Sequence, residues 1–291
     1  MRETREKREA RASLLQYLGL KILLNTGVKK ATAFFGCVGK DDTAATLTKC
    51  AEGDNVDVRY QLNDKPTGRC AVLITGQDRS LVTKLDAANE YTVDHLKSNW
   101  SVVENAKVFY SAGFFLTVSV ESMLMVAKHA VEKGKVYAMN LSAEFLADFF
   151  MENMDKVMAL SEIVFGNETE ALNFAEKKKY GTTNLLEIAG KMEKIPFEGA
   201  KEGKTRTVVI TQGAGNVIVA KDGNTVEYPA TPIAKEQIVD TNGAGDAFVG
   251  GFLAALVEGK NQGDCVRCGI WAATKIIQQS GCTFPEKMDF A

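Results

Sequence analysis

The chain has 291 residues, 45% hydrophobic and 25% charged, with a formal net charge of −2. That is an ordinary globular composition, long enough to bury a substantial core in one large or two modest domains. It offers no global basic field for nucleic acid. No apolar run approaches the ~18 residues expected of a membrane helix.

The first segment, MRETREKREARASLLQYLGLKILLNTG, mixes Glu3, Glu6 and Glu9 with Arg2, Arg5, Arg8 and Arg11. Secretory leaders are basic ahead of their apolar stretch, and transit peptides are poor in acid. A charged, solvated helix running into a buried one at Leu14–Leu24 is therefore expected. Ala31–Gly39 (ATAFFGCVG) reads as a buried strand, with a helix from about Asp42 to Glu52 behind it. Ala106–Gly113, Lys135–Ser142, Ser161–Asn167 and Thr205–Gly213 repeat the strand pattern, with a helix near Val118–Glu132 among those between them. Short β-rich runs alternating with helices point to an α/β protein with a mostly parallel sheet.

One segment breaks the rhythm. Asn55–Tyr91 reads as three short strands, with turn signals at Asp64-Lys65-Pro66 and Gly76-Gln77-Asp78 and no helix between them. An antiparallel excursion of this kind suits a lid. After Gly213 a hairpin is expected, turning at Asp222-Gly223, and two helices follow, roughly Gly243–Glu258 and Gly263–Gln279.

The six cysteines, Cys37, Cys50, Cys70, Cys265, Cys268 and Cys282, are scattered and read as reduced thiols. Cys265-Val-Arg-Cys268 has no second pair and both histidines are distant in sequence, so packing is favoured over a four-ligand zinc site.

Two stretches carry chemistry. The run DTNGAGDAFVGGF, Asp240–Phe252, follows a β segment and enters a helix at Gly243-Ala244-Gly245. The first turn of a helix has unpaired N–H groups and a partial positive charge, and glycines there let an anion approach closely. The pattern predicts a phosphate cradle without a lysine. Asp246, in the same turn, is a candidate general base for a hydroxyl that attacks the phosphate; a helix cap is the competing role. The second stretch is GNETE, Gly166–Glu170, at a strand end. Asn167 and Glu170 share a helix face. They suit a hydrated Mg²⁺ or a capping box, and the two are compatible.

These stretches, with ATAFFGCVGKDD, PTGRCAVLITGQDRSL, SAGFFLTVSVES, NLSAEF, ITQG and SGCTFPEKMDF, resemble the adenosine kinases of the ribokinase-like family of small-molecule kinases. The resemblance runs from about Ala31 to the end. It implies a ribokinase-like three-layer α/β/α domain with a mostly parallel central sheet plus a small β lid, the family's N-terminal segment being absent. Residues 1–54 and 92–291 would form the nucleotide-binding core and 55–91 the lid.

The implied reaction is ATP-dependent phosphorylation of the adenosine 5′-hydroxyl, giving AMP and ADP with Mg²⁺. Asp246 would be the base, and Asn242, Gly243, Ala244 and Gly245 the anion hole. Thr211 and Gly213 would line the ATP side. Phe145 would contact adenine, with Cys70 nearby in the lid, Arg79 neutralising phosphate on closure, and Asn242 also beside the substrate. Asn167 and Glu170 would tune Mg²⁺ binding through water. The implied protein is a cytoplasmic monomer, with the nucleus a second compartment, and has no nucleic-acid or membrane partner. The family opens with a GNPLLD-like strand whose aspartate holds the ribose, and no such stretch precedes Ala31. The alternative expectation is thus a catalytically impaired protein of the same fold that binds ATP–Mg²⁺.

Overall fold

A computed structural model describes residues 30–75, 78–202 and 204–281. The expected Leu14–Leu24 helix, Gln77 and the stretch from Cys282 onward lie outside the described residues. The chain divides into two compact units, residues 30–99 with 233–281 and residues 100–232. The segment 55–91 thus shares a unit with the helices that follow Asp240.

The first unit opens with strand β1 (Thr32–Gly39), helix α1 (Asp42–Gly53) and strand β2 (Val56–Asn63). β1 and β2 pair in parallel, from Thr32 opposite Val56 to Gly39 opposite Asn63. The three strands expected in 55–91 are present, but the first is parallel to its partner rather than part of an antiparallel excursion. The reason is α1, which carries the chain back so that β2 runs in the direction of β1. Strands β3 (Arg69–Thr75) and β4 (Asp78–Lys84) form a separate antiparallel hairpin. A 3₁₀ turn, Asp86–Glu90, and helix α2 (Val93–Ser98) follow.

The unit closes with α9 (Ala244–Val257) and α10 (Gln262–Ile277). All nine residues from Ala247 to Ala255 of α9 are buried, the mark of a helix enclosed on every side. Ala247 packs with Ala272 and Ile276 of α10, Ala51 of α1 and Val56 of β2. Two glycines allow α9 and α10 to touch. A Cβ on Gly251 would stand 2.6 Å from the Cys268 carbonyl oxygen, and one on Gly269 2.8 Å from the Phe248 ring. Cys265 and Cys268 are buried in α10, and burial pushes the Cys268 thiol up to about 12.

The second unit is built on a six-stranded sheet. In chain order it runs α3 (Trp100–Asn105), β5 (Val108–Ser111), α4 (Val120–Glu132), β6 (Val136–Asn140), α5 (Glu144–Phe149), α6 (Met151–Met158), β7 (Ile163–Asn167), α7 (Glu168–Lys177), α8 (Leu185–Glu193), β8 (Thr207–Thr211), β9 (Val217–Lys221) and β10 (Asn224–Tyr228). β5 to β8 are parallel; β9 and β10 are antiparallel additions at one edge. Runs of three and four consecutive buried residues in β6 and β7 show that both sheet faces are covered. The core includes Tyr137, Met139, Leu146, Met154, Met158, Phe174 and Ile188.

An arginine is buried within this unit. Arg206 is 1% exposed. Its guanidinium donates to the carbonyl oxygens of Met158 (2.6 Å), Ser161 (3.2 Å), Pro196 (3.2 Å), Met192 (3.4 Å) and Ile195, and it lies over the Phe197 ring. Met158 and Met192 are in the last turns of α6 and α8, where carbonyls lack intrahelical donors and the helix dipole favours a cation. Burial still costs something, and it lowers the arginine pKa to about 10.

Candidate active site

In the first unit the site is the turn into α9. Val239 and Asp240 donate their backbone N–H groups to Ile277 O at 2.8 and 3.1 Å, which ties the turn to the end of α10. The Asp240 carboxylate accepts the Asn242 N–H at 3.0 Å, a short Asx turn of the kind aspartate favours. Gly243 then takes φ +77° and ψ 5°, the left-handed region, and occupies the N-cap of α9 with no side chain capping the helix. Only glycine adopts this geometry without strain.

Ala244, Gly245 and Asp246 are the first three helical residues. Ala244 N–H reaches Thr241 O at 3.3 Å, and Gly243 O accepts from Ala247 N–H at 2.8 Å. Helix geometry leaves the N–H groups of Gly243 and Gly245 without intrahelical acceptors. A Cβ on Gly245 would meet nothing within 4 Å, so the space over this backbone is open. Asp246 is at the third helical position, and Gly243 occupies the cap. Its carboxylate stands in the positive end of the helix field.

In the second unit the expected residues gather at the carboxyl ends of the parallel strands, the edge where open α/β sheets bind ligands. Asn167 ends β7 and lies opposite Thr211, which ends β8. Asn167 and Glu170 form a complete capping box. Asn167 Oδ1 accepts the Glu170 N–H at 2.9 Å and the Thr169 hydroxyl at 2.8 Å. Glu170 accepts the Asn167 N–H at 3.0 Å through Oε2 and the Asn167 amide at 2.8 Å through Oε1. Burial holds the Glu170 carboxyl above its ordinary range, against N–H groups of Asn167 and Ser142 that favour the charge.

Thr211 and Gly213 join this group. The Thr211 hydroxyl lies 3.5 Å from Gly166 O, and Gly213 has φ +53°, with Glu168 at the edge of the space a Cβ there would reach. Phe145 is in the first turn of α5, about 42% exposed, with its ring 6.2 Å from that of Phe114. Cys70 is on β3 opposite Thr83, and the Arg79 backbone on β4 pairs with Ile74, so hairpin residues four rungs apart carry the two.

These donors can be matched to a metal. Among the described residues no cluster of three or more His, Cys, Asp or Glu is arranged to hold an ion. Both Glu170 oxygens and Asn167 Oδ1 already accept protein hydrogen bonds. Direct ligation does not fit, whereas an ion keeping its own waters and bound to phosphate oxygens does, as Mg²⁺ prefers.

The sequence reading missed Ser142 and Asn140. Ser142 has φ +67°, takes the Asn140 side chain on its N–H at 2.9 Å, and accepts the Gly113 N–H at 2.8 Å. It places its N–H beside Glu170 from the neighbouring strand end. Only the Asn-Leu-Ser spelling signalled a turn, and it does not show which carboxylate the turn faces.

Comparison with known proteins identifies the family. Residues 12–288 match the pattern of the pfkB family carbohydrate kinases. The chain is 48% identical over 266 residues to adenosine kinase 1 of Arabidopsis thaliana, covering 90% of this chain and 77% of that protein. It is 45% identical over 260 residues to adenosine kinase of Schizosaccharomyces pombe, covering 88% and 76%. Among solved structures, Anopheles gambiae adenosine kinase in complex with P1,P4-di(adenosine-5) tetraphosphate superposes with a TM-score of 0.91 at 44% identity, over 96% of this chain and 82% of that one. Adenosine kinase from Schistosoma mansoni in complex with 2-fluoroadenosine gives 0.89 at 32% identity, over 94% and 81%. With its ribokinase-like α/β fold, its glycine turn into α9 and these relatives, the chain belongs to the pfkB family of carbohydrate kinases and, within it, to the adenosine kinases.

Proposed function

We propose that this chain transfers the γ-phosphoryl group of ATP to the 5′-hydroxyl of adenosine, giving AMP and ADP. The observation that carries the reading is the left-handed Gly243 turn, with open space over the Gly245 backbone beside Asp246 at the start of a buried helix. As the 5′-oxygen attacks the γ-phosphorus, the bond to the leaving ADP oxygen breaks and the hydroxyl proton passes to Asp246. Asn242, Gly243, Ala244 and Gly245 face the charge that gathers on the phosphoryl oxygens. Such preorganised donors act most strongly where water is excluded.

Thr211 and Gly213 take the ATP side. Phe145 and Cys70 take the nucleoside, and Arg79 neutralises phosphate. Within 55–91, the β3–β4 hairpin, Arg69–Lys84, is the lid that carries Cys70 and Arg79. Asn167 and Glu170 hold Mg²⁺ through its waters, and the ion neutralises phosphate charge when bound. The protein acts as a cytoplasmic monomer.

The test is direct. Purified chain with adenosine, ATP and Mg²⁺ forms AMP in a coupled assay, and D-ribose in place of adenosine gives no comparable product. ATP binding without AMP formation would sink the proposal; faster phosphorylation of a free sugar would move the chain to another acceptor.

A further inference from the structure

Among the described residues the β3–β4 hairpin pairs only with itself, as a two-stranded sheet. A lone ribbon of this kind is marginally stable, so its aim depends on its neck. One side of the neck is Pro66-Thr67-Gly68 and the other Leu85–Ala87. Ala87 N–H reaches Pro66 O at 3.0 Å, and a Cβ on Gly68 would lie 2.6 Å from Leu85 O.

The Asp41 carboxylate fastens this neck to the rest of the unit. Asp41, the N-cap of α1, accepts the Thr67 N–H at 2.8 Å through Oδ2 and the Thr67 hydroxyl at 2.7 Å through Oδ1. Oδ1 also accepts the Ala44 N–H at 2.9 Å. Thr67 is 4% exposed, and its hydroxyl in turn accepts the Gly39 N–H at 2.9 Å. Gly39 runs so close that a Cβ there would stand 2.6 Å from both Lys65 O and Thr67 N. Arg69, the first hairpin residue, donates to the Thr43 hydroxyl in the first turn of α1 at 3.1 Å. The hairpin is therefore joined to the end of β1 and the start of α1 through a charge-assisted, half-buried junction, with Arg69 adding a second link.

We propose that Asp41 is a positioning residue for catalysis, latching the hairpin through Thr67 so that Cys70 is presented to the nucleoside. The role of Cys70 rests on the adenosine kinase reading; the latch itself does not.

The test uses Thr67→Val, which deletes the hydroxyl at nearly constant shape, and Asp41→Asn, which remains a good helix cap but offers one acceptor oxygen instead of two. Hydrogen exchange is measured on the intact chain, and KM and kcat are measured for adenosine and ATP. In both variants amides of β3 and β4 exchange at least ~10-fold faster, about the worth of one charge-assisted hydrogen bond, while those of α1 and of β1 other than Gly39, which donates to the Thr67 hydroxyl, hold their rates. KM for adenosine rises by a similar ~10-fold factor, kcat stays within about threefold, and KM for ATP is unmoved. The double variant is no worse than the more affected single one. Unchanged exchange in the hairpin, or equal acceleration throughout β1 and α1, overturns the latch. Hairpin loosening with an unchanged adenosine KM overturns the positioning role. If the parent chain forms no AMP, the proposed function fails, and the exchange measurement alone decides whether Asp41 is a latch.

Discussion

Gly251 of α9 and Cys268 of α10 meet backbone to backbone, with 2.6 Å between the carbonyl oxygen of Cys268 and the point where a Gly251 side chain would begin. The helix that carries Asp246 is thus fixed by a contact in which neither partner can yield. Gly251→Ala forces the two helices apart and costs about 1–3 kcal/mol as overpacking. Thermal unfolding should show a fall of roughly 2–4 °C for each kcal/mol. A melting temperature equal to the parent's would show that the pair separates freely.

Replacing the proposed base is a sharper test of chemistry. Asp246→Ala should lower kcat by ~10²–10⁴, with KM for ATP changed little. Asp246→Asn, which keeps the shape, should fall in the same range. Retention of kcat in both would remove Asp246 from the reaction.

Asn167 joins stability to ion use. Asn167→Ala removes the side-chain half of its capping box and leaves the backbone N–H bond to Glu170 in place, at a cost of about 1 kcal/mol. If Asn167 and Glu170 hold the waters of Mg²⁺, the Mg²⁺ concentration for half-maximal turnover should rise as well. A titration curve superimposable on the parent's, with stability reduced, would leave the cap as the only role.

Much of this was legible in the chain. The helix expected at 42–52 is found at Asp42–Gly53, and those expected at 243–258 and 263–279 at Ala244–Val257 and Gln262–Ile277. Asn167-x-x-Glu170 spelled out its own box, because capping is local in sequence. What could not be read was partnership at a distance. Alternation in Val56-Asp57-Val58-Arg59-Tyr60 marks a strand with two unlike faces. It does not say that the strand beside it is β1 or that the two are parallel. Ser142 at φ +67° and the Asp41–Thr67 junction, 26 residues apart in sequence, are likewise settled by the fold rather than by spacing.

His129 gives a pH prediction. It is buried between Trp100 and Phe109, with Lys135 Nζ 3.3 Å from its ring. Burial, then the charges of Lys135 and Lys133, hold its pKa below the ordinary 6.5, against weaker opposite pulls from Glu104 and Glu132. A depressed pKa means that the fold prefers neutral imidazole. Its contribution is full above pH ~6.5, where the unfolded chain is also neutral, and is lost as the pH falls through the folded value. Urea unfolding at pH 7.5 and 5 should show a loss at acid pH that His129→Leu reduces. An equal loss in that variant would assign the acid sensitivity elsewhere.

Arg206→Met removes the buried cation and leaves its carbonyl partners without that donor. A loss of about 3–5 kcal/mol is expected, as when one partner of a buried polar assembly is deleted. The midpoint of urea denaturation reads it, and a shift below 1 kcal/mol would show that water replaces the guanidinium.

The same arginine has a genetic consequence. All five of its acceptors are main-chain oxygens, and a main-chain oxygen survives every substitution at its own residue. Vulnerability is therefore lopsided: changes at Met158, Ser161, Met192, Ile195 or Pro196 leave an acceptor in place, whereas a missense change in the one codon for Arg206 removes five bonds at once. No second-site exchange of a side-chain partner can compensate. That position should be intolerant of substitution, whereas changes at its five partners are limited by side-chain packing rather than by loss of this bond.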